Sequence, residues 1–169
     1  LISFMFRTRH DIPNLSQFLW TPATGDLDYA DTWSSQDEVL HEDNGSKVLV
    51  VAFAGMGVRG SRPAFIFKKF LSKWNNIDKL FVRDLSCQYY VDRNTLPIDK
   101  NKYNKIYMLG CSAGGWAAIR FGVMLGATRV WAFSPQTELH SPDMQLAPTT
   151  AARLCRSHGP LDLKNFMAG

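Results

Sequence analysis

The chain has 169 residues, with 19 Lys plus Arg against 15 Asp plus Glu for a net charge of +4. At about 150 residues per domain this is the length of one domain, and 46% hydrophobic against 20% charged residues excludes a wholly disordered chain. No run reaches the roughly 18 apolar residues of a membrane-crossing helix, and so mild a basic excess does not imply nucleic acid, so neither partner is expected.

Leu1–Phe6 is too short for a secretory core, and Arg7 and Arg9 follow it instead of preceding it. The alternation of Ile2, Phe4 and Phe6 predicts a short strand over Ile2–Arg7. From Asp26 to Asp43 there are seven acids and no Lys or Arg, which reads as a solvated acidic loop. Asp26, Asp28 and Asp31 do not make an EF-hand loop, because Asp31 occupies the sixth position, where Gly is required. The rest of residues 1–46 reads as irregular.

Lys47–Ala54 is a continuous β-branched apolar run, the mark of a strand buried on both faces. Gly55–Gly60 breaks it. Ser61 then caps a predicted helix with Pro63 in its first turn and Phe67, Phe70, Leu71 and Trp74 at helical spacing. Lys68, Lys69 and Lys73 fall on its other, solvated face. Lys79–Arg83 reads as a second strand ending at Asp84, and Ile106–Leu109 as a third ending at Gly110. Ala113–Leu125 is a helix stopped by Gly126, and Arg129–Phe133 is a fourth strand closed by Ser134-Pro135. Strands alternating with helices predict an α/β fold: a mostly parallel central sheet flanked by helices in three layers. One domain is expected over 1–169, with its core at 47–135; beyond this, only a weak helix near Thr150–Arg156 is indicated.

Cys87, Cys111 and Cys155 are an odd number with no CxxC or ligand-like spacing. Reduced thiols, a cytoplasmic location and no metal are therefore expected.

Two glycine motifs compete for function. Gly110-Cys111-Ser112-Ala113-Gly114 matches G-x-S-x-G with a strand before it and a helix after it. A sharp turn there lifts the Ser112 hydroxyl clear of the sheet, and the glycines remove side chains that would collide with strand or helix. The N–H groups at the helix start then face developing negative charge. Gly55-Met56-Gly57-Val58-Arg59-Gly60 is formally G-x-G-x-x-G after a strand, with Asp84 about where a ribose-binding acid belongs. However, Ser61 and Pro63 start the predicted helix after the third glycine, which weakens dinucleotide binding. With Ser112 as nucleophile, an oxyanion hole takes one N–H from Ala113 and a second from Met56 or Gly57.

From Lys47 to Pro135 the chain resembles the α/β-hydrolase superfamily. The resemblance implies a serine hydrolase, usually of esters, with a triad in the order Ser, acid, His and with no metal or organic cofactor. That order leaves His140 and His158 as bases, since His10 and His41 precede the nucleophile; His158, with Asp143 to orient it, is preferred, and Asp162 breaks the order. Asp84 and Tyr89 are the substrate-binding candidates. Asp84 either contacts substrate, braces the oxyanion loop, pairs with Arg59, Arg83 or Arg93, or caps the next turn; Tyr89 and Tyr90 wall a pocket or pack. Arg120 is expected to face solvent or form a salt bridge, and Cys111 to point toward the core. The resulting expectation is an ester hydrolase acting on a small acyl substrate. The alternatives are a non-catalytic or truncated scaffold serving as a binding module, and a dinucleotide-binding protein.

Overall fold

The computed structural model describes residues 37–56, 63–137 and 139. The expected strand at Ile2–Arg7, the weak helix near Thr150–Arg156 and the cap at Ser61 lie outside them. Among the described residues the sheet has five strands: β1 (Val39–Glu42), β2 (Val48–Phe53), β3 (Asp78–Val82), β4 (Lys105–Cys111) and β5 (Arg129–Phe133). Their spatial order is β1-β3-β2-β4-β5, parallel except for β1, which runs antiparallel to β3. Two helices are described, α1 (Lys68–Leu71) and α2 (Ala113–Leu125), with a 3-10 turn at Lys100–Lys102.

The α/β class and mostly parallel sheet agree with the sequence reading. The apolar runs of β2, β3 and β4 are buried almost throughout, as strands covered on both faces must be. Alternate residues divide between two cores. Leu49, Val51, Phe53, Leu80, Val82 and Met108 meet Trp116, Ala117 and Phe121 of α2. Val50, Ala52, Phe81 and Leu109 meet Phe65, Leu71, Phe70 and Trp74 on the other face. The period-2 alternation of each strand thus produces the three layers.

Three expectations are corrected. The acidic segment is not loop throughout: Val39–Glu42 forms the antiparallel edge, with Val39 and Leu40 half-buried. Its charge is absorbed locally, since Glu42 pairs with the buried Lys79 at 2.8 Å. The helix after the glycine loop is a single turn, Lys68–Leu71. Pro63–Phe65 stays non-helical because the fully buried Arg83 donates to the Pro63 carbonyl and lays its guanidinium 4.6 Å from the Phe65 ring centre. Finally, Arg120 does not face solvent. It is 7% exposed and donates to the carbonyls of Tyr90 (2.8 Å) and Arg93 (3.0 Å).

The amino-terminal end of β3 is tied by one carboxylate. Asp78 is fully buried; one oxygen accepts the N–H groups of Asn44 and Ser46, each at 2.9 Å. The other accepts Lys102 Nζ at 2.9 Å and the Tyr103 hydroxyl at 3.0 Å. Burial raises its pKa, but the bonds from Lys102, Ser46, Asn44 and Tyr103 outweigh it and hold the carboxyl well below its ordinary value of 3.8. A depressed carboxyl contributes stability above its unfolded pKa and loses it as pH falls through the folded value. Acid titration of the wild type should therefore show stability declining as pH drops below about 4. Asp78→Asn should lack that component and lose about 2–3 kcal/mol at neutral pH, read by denaturant unfolding.

Candidate functional site

The carboxyl ends of the parallel strands lie level. Phe53 pairs with Val82 on one side and Gly110 on the other, and Cys111 pairs with Phe133. Ser112 follows β4 directly, with its N–H bonded to the Phe133 carbonyl at 2.9 Å. Its backbone has φ 54° and ψ −121°, a conformation an L-residue adopts only where its surroundings impose it. Serine before a helix is ordinarily an N-cap, its hydroxyl spent on a helix N–H. Here the Ser112 side chain makes no such bond. The residue as a whole is half-buried.

The turn forms because backbones pack where a side chain would stand. A Cβ on Gly110 would lie 2.0 Å from the Gly114 carbonyl oxygen, and one on Gly114 would lie 2.4 and 2.5 Å from those of Phe53 and Ala54. α2 therefore starts hard against the end of β2. A Cβ on Gly55 would meet the Cys111 carbonyl at 3.2 Å and Ser112 Cβ at 3.8 Å, so the loop after β2 passes beside the serine. Ala113 N–H belongs to the first turn of α2, where amides have no intrahelical acceptor. Met56 is exposed at 38% on the adjoining loop.

Gln136, three residues beyond β5, is the side chain that meets the Ser112 hydroxyl, with Nε2 at 3.4 Å and Oε1 at 3.5 Å. It was absent from the sequence candidates. The available signal was the Ser134-Pro135 break that ends β5 beside β4, the strand that leads into Ser112. His158, Asp143 and Gly57 lie outside the described residues, as do His140 and Asp162. The one histidine among the described residues, His41, sits on edge strand β1, with β3 and β2 between it and β4.

Asp84 closes the loop after β3. It accepts Ser86 N–H and Oγ–H on one oxygen, and Gln88 N–H (2.7 Å) and Tyr90 N–H (2.9 Å) on the other. It also borders a cavity of about 300 Å³ with Ser86, Tyr90 and Arg93. Tyr89 is 3% exposed in the core beneath α2, and burial raises its pKa. Cys111 is a half-buried free thiol, its pKa likewise raised by burial, which makes it a poor nucleophile. The occupied carboxylate of Asp84 and the non-helical Pro63–Phe65 segment both count against a dinucleotide site over Gly55–Gly60.

No protein-family model matches the chain, and no curated protein matches it. Two solved structures align with the chain. The capsule O-acetyltransferase of Neisseria meningitidis serogroup A aligns with TM-score 0.52 and 17% identity, over 69% of this chain and 56% of that one. S-formylglutathione hydrolase from Staphylococcus aureus aligns with TM-score 0.43 and 15% identity, over 73% of this chain and 55% of that one. The chain thus spans little more than half the length of either, and its likeness to the first is one of fold. That fold is of the α/β-hydrolase type. No helix among the described residues is long and apolar enough to cross a membrane.

The glycine contacts have a direct consequence. Gly114→Ala drives a methyl into two backbone carbonyls and should lose on the order of 3 kcal/mol or fail to fold. Gly126→Ala, at φ 63° with open space around it, should cost only about 1 kcal/mol. Thermal unfolding of the pair separates backbone collision from local strain.

Proposed function

We propose that the chain carries a serine acyl-transfer site and acts as an ester hydrolase on a small acyl substrate. The observation that supports this best is the strained, uncapped Ser112 at the β4–α2 turn. A bland glycine-rich turn needs neither the strain nor a serine hydroxyl withheld from the helix cap. Ser112 Oγ attacks the acyl carbonyl carbon while His158, oriented by Asp143, takes its proton. The carbonyl π electrons move to oxygen, and that oxyanion is held by the N–H of Ala113 and one from Met56 or Gly57, each worth about 3 kcal/mol. Collapse expels the alkoxide with the proton returned by His158. Water then releases the acid by the same path.

Gln136 is neutral and cannot serve as the base; it orients the Ser112 hydroxyl before substrate arrives. Asp84, which borders the cavity after β3, is the proposed substrate contact, with Tyr89, 3% exposed in the core, supporting it from within. The reading requires no metal or organic cofactor, no nucleic acid and no membrane. A cytoplasmic setting suits the free thiols. The same acyl-serine would make a transferase if a second hydroxyl, instead of water, accepted the acyl group.

A fluorophosphonate probe followed by intact-mass measurement tests the proposal. One adduct is expected on the wild type and none on Ser112→Ala. His158→Ala should slow ester turnover by about 10³-fold or more. A folded wild type that takes no adduct overturns the hydrolase reading and leaves the scaffold alternative.

A further inference from the structure

The loop that passes beside Ser112 is held from outside the site by one buried hydroxyl. Tyr90 is 3% exposed, and its hydroxyl donates to the Ala54 carbonyl at 2.7 Å, with the Val82 carbonyl 3.2 Å away. The same Ala54 oxygen lies 2.5 Å from where a Cβ on Gly114 would stand, so it is wedged between the tyrosine and the first turn of α2. A peptide unit is planar, so fixing the Ala54 carbonyl also fixes the direction of the Gly55 N–H and the position of the Gly55 Cα, the point from which the chain continues into Met56.

Tyr90 is itself over-determined. Its φ of 59° is costly for a bulky residue and needs support. Its N–H is taken by Asp84 at 2.9 Å, its carbonyl accepts Arg120 of α2 at 2.8 Å, and its ring meets Phe53 edge-on at 5.5 Å. Burial, reinforced by the Asp84 charge, keeps its pKa well above 10, so the hydroxyl remains a donor across the working pH range. One residue, by its backbone and its hydroxyl together, therefore joins the loop after β3, the loop after β2 and the helix behind the serine.

We propose that Tyr90 is a positioning residue for the acyl-transfer site: through the Ala54 carbonyl its hydroxyl sets the loop that presents the second oxyanion donor. The assignment rests on the serine-hydrolase reading. The oxyanion exists only after bond formation begins, so a displaced donor lowers kcat and leaves KM almost unchanged. Outright loss of a donor costs about 10²–10³-fold, and displacement should cost roughly tenfold.

The test compares Tyr90→Phe with Tyr103→Phe, which removes a buried hydroxyl bonded to Asp78 at the opposite end of the sheet. Tyr90→Phe is expected to lower kcat about tenfold with KM within about twofold, and to slow fluorophosphonate labelling in proportion. Amide exchange in the peptide spanning residues 54–56 should speed up, a readout independent of activity. Tyr103→Phe should reduce stability without moving kcat. Wild-type kcat and loop exchange in Tyr90→Phe would overturn the assignment, as would an equal loss of kcat in both variants. A wild type that takes no probe would overturn the hydrolase reading and this assignment with it, a result distinct from normal rates in the variant.

Discussion

The structure depends on how closely α2 approaches the ends of β2 and β4. A helix normally stands about 10 Å from a sheet because side chains fill the gap, but at Gly110 and Gly114 there are none, and backbone meets backbone. That closeness lets the chain leave β4 and enter α2 in a single residue. The residue in the middle must then take a conformation with φ 54°. Gly115 and Gly122 extend the seam: a Cβ on the first would meet Pro135 and the Phe133 carbonyl, and one on the second the Val130 side chain at 2.5 Å. The seam fixes β5 as well as β2, and with β5 comes Gln136.

Strain is distributed unevenly over the molecule. The non-glycine residues with positive φ among the described residues are Cys87, Tyr89, Tyr90, Ser112 and Ser134, and every one follows the carboxyl end of a parallel strand. Each such conformation costs on the order of 1 kcal/mol and persists only where its surroundings leave no alternative. Asp84 provides that constraint for the first three by gathering the N–H groups of Ser86, Gln88 and Tyr90. The opposite end of the sheet carries Asp78 and its four donors with no such outliers. Open α/β sheets bind ligands at their carboxyl ends, so the strain collects where ligand would sit.

Much of this was legible in the sequence, for physical reasons. β2, β3 and β4 are doubly buried, so their apolar runs have little polar interruption, and G-x-S-x-G between strand and helix states its own geometry. β1 was hidden because an edge strand buries only part of its surface: Val39 and Leu40 are half-buried among acids whose charge Lys79 and Arg93 offset. Arg120 was misread by residue type although its spacing was informative. Ala113, Trp116, Ala117 and Arg120 stand at i, i+3, i+4 and i+7, the buried stripe of α2. Its guanidinium is accommodated there by the carbonyls of a loop whose path no local pattern encodes. Gln136 had no periodicity to announce it, since it stands beyond the last residue of a strand.

The functional reading gains from this asymmetry. A glycine-rich turn retained only as architecture would relax toward the commonest arrangement, a serine capping the helix through its hydroxyl, at about 1 kcal/mol in its favour. Ser112 forgoes that bond and holds a conformation that costs energy, while three glycines, an arginine and a buried tyrosine secure the segments around it. Cys111, one residue earlier, has the more nucleophilic element, but burial keeps its thiol protonated. The local energetics disfavour the cysteine and leave the serine hydroxyl available, which is the arrangement an acyl-transfer nucleophile requires.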